Sequence, residues 1–123
     1  MGSLLDMVKN RLPDEAVLFA ASLATVIEEA VSDAGYEGIA EEALSTRQKS
    51  LVADLAAKSL ILPAMSKYKT AIAEAEGDGA GKAKFADKLD FLKRMEGTLA
   101  ASIIERKAAL STATDTGVAM VLV

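Results

Sequence analysis

The chain has 123 residues, about half of them apolar, with few aromatics, no tryptophan and a formal net charge of −4. It has no cysteine and no histidine, which excludes a disulfide framework, a thiolate nucleophile, zinc sites built on imidazole or thiolate, and Ser-His-Asp or Cys-His catalysis. Mild overall acidity argues against specific nucleic-acid binding, which depends on neutralising phosphates. Alanine and leucine supply the apolar content, and both lose little freedom in a helix. The expected class is all-α, in one bundle domain over residues 1–110 followed by an extended apolar tail over 111–123.

From Ser3 to Leu12, Leu4, Leu5, Val8 and Leu12 fall on one side of a first helix, and Ser3 is placed to cap it. Its start meets Asp6 at once and shows no basic segment leading into an apolar one, so no targeting segment is expected. Pro13 ends this helix and can open the next, with Asp14 and Glu15 favourable in its first turn.

The second helix is predicted from Asp14 to Ala34, stopping at Gly35. Ala16, Ala20, Leu23, Ile27, Ala30 and Ala34 form its stripe, but Val17, Leu18, Phe19, Val26 and Val31 cover most of the remaining circumference. A helix apolar nearly all round needs burial on more than one side, which points to a neighbouring subunit or to a central place in the bundle.

An acidic connector with Glu37, Glu41 and Glu42 follows, and Ser45 and Gln48 fit a capping box. The third helix is predicted to run to about Glu76, with Leu51, Leu55, Leu62, Met65 and Ile72 on its inner face and a kink at Pro63. Gly77 to Lys82 reads as a reversal. It departs from a phosphate-binding loop, with Glu76 where the opening glycine should be and Ala83 where Ser or Thr should be. The fourth helix, from Lys82 to Leu110, carries Phe85, Leu89, Leu92, Met95, Leu99, Ile103 and Leu110 at close to helical spacing, making a long antiparallel hairpin with the third.

The end of the sequence changes character. A polar stretch from Ser111 to Thr116 precedes Gly117, Val118, Ala119, Met120, Val121, Leu122 and Val123. Such a β-prone segment has no strand partner in a helical chain, so these residues (Ala119 apart) are candidate partner-binding positions. A tail folded back on its own bundle is the alternative.

Charge is unevenly placed: residues 1–45 hold nine acids and two bases, while residues 46–123 hold twelve bases and nine acids. The acids Glu28, Glu29, Asp33, Glu41 and Glu42 and the bases Lys82, Lys84, Lys88, Lys93 and Arg94 are therefore candidate complementary surfaces, within one fold or between identical neighbours. Carboxylate pairs such as Asp87 and Asp90 alternate with lysines and read as surface ion pairs. No catalytic residue, cofactor, metal or small-molecule substrate is expected.

The layout resembles the head-to-tail connector (adaptor) proteins of tailed bacteriophages. The resemblance rests on the opening Leu4-Leu5-Asp6-Met7-Val8-Lys9-Asn10-Arg11-Leu12, the alanine-rich helix after it, and the helix beginning Arg47-Gln48-Lys49-Ser50-Leu51-Val52-Ala53-Asp54-Leu55-Ala56-Ala57-Lys58, continuing through Leu60-Ile61-Leu62 to Lys67-Tyr68. Gly35-Tyr36-Glu37 stands where the family often carries an aromatic-glycine-basic turn. The resemblance implies a structural, non-enzymatic subunit in a homo-oligomeric ring, commonly a dodecamer. The ring would lie between portal and tail in the virion neck, with DNA passing through it, and the protein would be made in the host cytoplasm. The apolar tail would reach the portal or a neck protein. The competing expectation is a small helical regulatory or effector-binding module acting as monomer or dimer.

Overall fold

The computed structural model describes residues 3–75 and 79–122, with the side chains of residue 80 and of 112–122 left out. Five α-helices account for most of it: α1 (Leu4–Arg11), α2 (Pro13–Leu18), α3 (Leu23–Asp33), α4 (Thr46–Glu74) and α5 (Gly79–Leu122), with a 3₁₀ turn at Glu41–Ala43. No strand occurs among the described residues. The all-helical expectation holds.

The local signals at helix starts act as the sequence implied. Ser3 Oγ accepts from the Asp6 amide at 3.2 Å. At the head of α4 the Ser45 hydroxyl accepts from the Gln48 amide at 3.1 Å, while the Gln48 side chain accepts from the Ser45 amide at 2.8 Å. Both are bonds that the first turn of a helix cannot make for itself. Gly35 closes the third helix with φ +88°, a conformation that a Cβ disfavours.

The second predicted helix is broken in two. After α2 the chain turns at Phe19–Ser22, where the Ser22 amide and hydroxyl both return to the Phe19 carbonyl, at 3.0 and 3.3 Å. Serine offers the backbone this local alternative to a helix. The break lets Ala16, Leu23 and Ala30, from what would have been one long rod, reach a single core, with Phe19, Val26, Ile27 and Val31 packed at its edge. Much of the apolar circumference is thus covered within one copy, leaving Val17 and Leu18 outside.

Helix α4 is the axis of the molecule, with α1, α2, α3 and α5 all packed against it, and the Asp14–Lys88 pair joins α2 to α5. Its buried face differs from the expected one. Leu51 is buried as expected, but the rest of the enclosed face is mainly Val52, Ala53, Ala56, Ala57, Leu60, Ile61 and Ala64, whereas Leu55, Met65 and Ile72 are half-buried and Leu62 is 68 % exposed. Neighbouring helices approach this one closely, and small side chains permit that approach where leucines would hold the helices apart. The helix continues through Pro63.

Helices α4 and α5 run antiparallel. Asp54 meets Ser102 and Arg106, while Tyr68 stacks on Phe85 with ring centroids 6.0 Å apart. The predicted stripe of α5 is buried at Leu92, Leu99 and Ile103, with Phe85, Leu89 and Met95 packed at the core edge. The helix opens at Gly79 rather than Lys82; Gly77 and Asp78 of the expected reversal lie outside the described residues.

The extended tail is corrected. The backbone stays helical past Leu110 to Leu122, since each further residue adds a hydrogen bond to a helix already nucleated. The side chains of Gly117, Val118, Met120, Val121 and Leu122, and all of Val123, lie outside the described residues.

Candidate functional site

Three places concentrate polar chemistry, and two of them are internal. Asp54, 2 % exposed, projects from α4 between α1 and α5. Its Oδ1 accepts from Arg11 Nε at 2.6 Å, and its Oδ2 accepts from Arg106 Nε and the Ser102 hydroxyl, each at 2.7 Å. Arg11 also donates to the Met7 carbonyl at 3.0 Å. A buried carboxylate needs such partners, since its desolvation is otherwise prohibitive.

The second cluster joins α2, α4 and α5. Glu15, 2 % exposed, accepts a 2.6 Å hydrogen bond from the Tyr68 hydroxyl. Burial first, and then this bond to a carboxylate, push the Tyr68 phenol well above its ordinary value of 10.0. Lys88 lies 5.5 Å from the Tyr68 ring centre and donates to Asp14 at 2.7 Å. That hydrogen bond and the ammonium charge lower the Asp14 carboxyl from its ordinary range. Among the described residues, no buried side-chain polar atom lacks a partner. Both clusters are satisfied by the fold itself.

The third place is open. A groove of about 530 Å³ lies between α3, the connector and the start of α1, with an apolar floor of Leu4, Ile27, Val31, Ile39 and Leu44. Glu28, Glu29, Glu37 and Glu41 line it as well. Glu41 accepts from the Leu4 amide at 3.3 Å and Glu37 from the Ser32 hydroxyl at 3.1 Å, whereas Glu28 and Glu29 have no partner among the described residues. From residue 28 to residue 46 the chain carries six acids and no base. Among the described residues no three acidic side chains converge as metal ligands would, so these carboxylates border the apolar floor without forming a cage.

No protein-family model, curated protein or solved structure matches this chain. The groove must therefore be read from its chemistry.

Of the acidic residues singled out from the sequence, Glu28, Glu29 and Glu41 come together here; Asp33 and Glu42 are exposed nearby and do not line the groove. Of the bases, Lys88 binds Asp14 of its own chain, Arg94 shares a shallow surface depression with Asp87 and Asp90, Lys84 and Lys93 are exposed, and Lys82 is half-buried. Sequence reasoning missed Asp54 and Glu15. The signal was present for Asp54, an acid set inside the apolar run from Leu51 to Ala57. No described helix is long and apolar enough to cross a membrane.

Proposed function

We propose that this protein acts by docking: it is a helical assembly subunit whose groove takes up an apolar, basic-flanked segment of another protein chain. The observation that carries the reading is the pairing of an open apolar floor with Glu28 and Glu29 on its border, neither with a partner among the described residues. A small apolar ligand would leave those charges unanswered, and a metal would find no cage. A chain presenting aliphatic side chains between lysines or arginines answers both. The buried polar groups of the two internal clusters are occupied with one another, which supports a role without catalysis.

In its finer form the proposal keeps the head-to-tail connector resemblance: a ring of identical subunits in a virion neck, contacting a portal and adjoining tail proteins. Short helices packed along a pair of long ones support it, as does a surface suited to a neighbouring chain. The effector-binding alternative draws on a cavity of about 240 Å³ beside Arg47, Ser102 and Arg106. Glu105 lines that cavity too and opposes an anionic effector, so docking is the stronger reading.

The test is a methyl-resonance titration with a synthetic amphipathic helix of leucine and lysine. Shifts confined to Ile27, Val31, Ile39 and Leu44, and lost in Glu28→Lys/Glu29→Lys, are the expected result. Absence of shifts, or shifts spread evenly over the protein, would refute the groove's role. Rings in electron micrographs of the purified protein are the expected sign of the connector form, and a monomer at every concentration counts against it.

A further inference from the structure

Resting on that docking reading, we propose that the groove's occupant is a second copy of this chain, inserted through Leu62 on the outer face of α4. Seven large apolar side chains are exposed among the described residues: Leu5, Val17, Leu18, Ile39, Leu62, Phe91 and Ile104. Charge separates them. Ile39 belongs to the groove itself, and Leu5 adjoins Asp6. Val17 and Leu18 follow Asp14 and Glu15, with no base between residues 12 and 46. Phe91 lies on a mixed surface, with Asp87 and Asp90 among Lys84, Lys88, Lys93 and Arg94, and Ile104 stands between Glu105 and Lys107 while Arg106 is committed to Asp54.

Leu62 alone sits in an acid-free basic stretch. From residue 55 to residue 73 the chain carries Lys58, Lys67 and Lys69 and no acid. Lys58 and Lys69 stand four residues before and seven after Leu62, on its side of the helix. Neither has an ion-pair partner among the described residues, while Lys67 lies over the Phe19 ring at 5.4 Å. Glu96 of α5 shares a dent with Leu55, Lys58, Ser59 and Leu62 on this face. Pro63 is exposed next to Leu62 and widens the apolar knob. The knob therefore presents what the groove lacks: an aliphatic side chain between unpaired cations, to set against an aliphatic floor between unpaired carboxylates.

The two surfaces cannot meet within one copy. The groove adjoins Leu44, at the head of α4, and Leu62 lies some 18 residues further along, roughly 25 Å at 1.5 Å per residue. Insertion of one copy's knob into the next copy's groove joins unlike patches, a head-to-tail contact that repeats and closes into a ring when the rotation allows.

The experiment is sedimentation of the full chain over a concentration series at low and high salt. Expected is self-association that weakens with salt. Leu62→Asp or Glu28→Lys/Glu29→Lys should each weaken it by at least about thirtyfold, the loss typical of an interface anchor. Circular dichroism checks that both surface variants keep their helices. Because Leu62→Asp keeps its groove and Glu28→Lys/Glu29→Lys keeps its knob, an equal mixture of the two should form one-to-one dimers and nothing larger. Association lost in Phe91→Asp but kept in Leu62→Asp overturns the proposal and makes the basic part of α5 the occupant. A wild-type chain that stays monomeric yet binds the leucine–lysine helix at the groove overturns self-docking and leaves the docking reading standing; failure of both removes both.

Discussion

Arg11 and Arg106 hold opposite oxygens of one carboxylate, at 2.6 and 2.7 Å, and so tie the first and last helices to the central one through Asp54. Removing the shared partner leaves two guanidiniums facing a site with no counter-charge. Asp54→Ala is expected to cost about 3–5 kcal/mol. Arg106→Ala should cost only about 1 kcal/mol, because its side chain is 40 % exposed and water screens it. Urea unfolding checks this through the midpoint at unchanged slope; equal losses for the two variants would contradict the shared-carboxylate account.

Tyr68→Phe keeps the stack on Phe85 but strips the buried Glu15 carboxylate of its donor. A loss of roughly 1–3 kcal/mol is expected. The wild-type phenol's raised value means that unfolding releases its proton more readily. Stability from this group is therefore fully present below the ordinary value of 10.0 and declines as pH rises beyond it. Thermal unfolding across alkaline pH should show that decline in the wild type and a shallower one in Tyr68→Phe.

The Asp14–Lys88 pair acts in the opposite direction of pH. Its carboxyl is held below the ordinary 3.8, so its contribution is present above that value and lost as pH falls through the lower folded value. Asp14 is largely exposed, so the effect is small and fades with salt. The difference in melting temperature between wild type and Lys88→Met should shrink at high ionic strength.

Ala57 is fully buried on the central helix. Ala57→Leu should destabilise by about 1–3 kcal/mol through overpacking, whereas Ala101→Leu on the exposed side of α5 should be nearly neutral. Chemical denaturation of the pair separates packing from helix propensity.

Gly35 has open space where a Cβ would stand, so only its backbone conformation resists substitution. Gly35→Ala is expected to cost about 1 kcal/mol and Gly35→Asn less, since asparagine tolerates positive φ. The same denaturation measurement orders the three residues.

What the sequence made legible follows the range of the interaction. The Ser3 and Ser45 caps join residues three apart, and the Leu92–Leu99–Ile103 stripe faces one neighbour, so periodicity finds both. On α4 the large apolar side chains point to the face only in part: Leu51 is buried, but leucine spacing does not reveal the alanine-lined contact. Close packing buries Ala53, Ala57 and Ala64 and leaves Leu62 at the surface. The break after α2 was hidden because Val17 to Ala21 carry no helix-breaking residue; the Ser22 back-bond is selected by packing on α4, which is remote in sequence. The groove was half visible. Its acids stand out as a charge run, but its floor is assembled from Leu4, Ile27, Ile39 and Leu44, whose proximity no local pattern encodes.

The Asp54 junction also bears on how the chain matures at the ribosome. Arg11 is made about ninety residues before Ser102 and Arg106. Until they appear, the carboxylate has one of its three donors and one flank of the central helix lies bare. Nascent chains halted before residue 102 should therefore remain protease-sensitive and draw chaperones, with the lock closing only after Arg106 has left the exit tunnel.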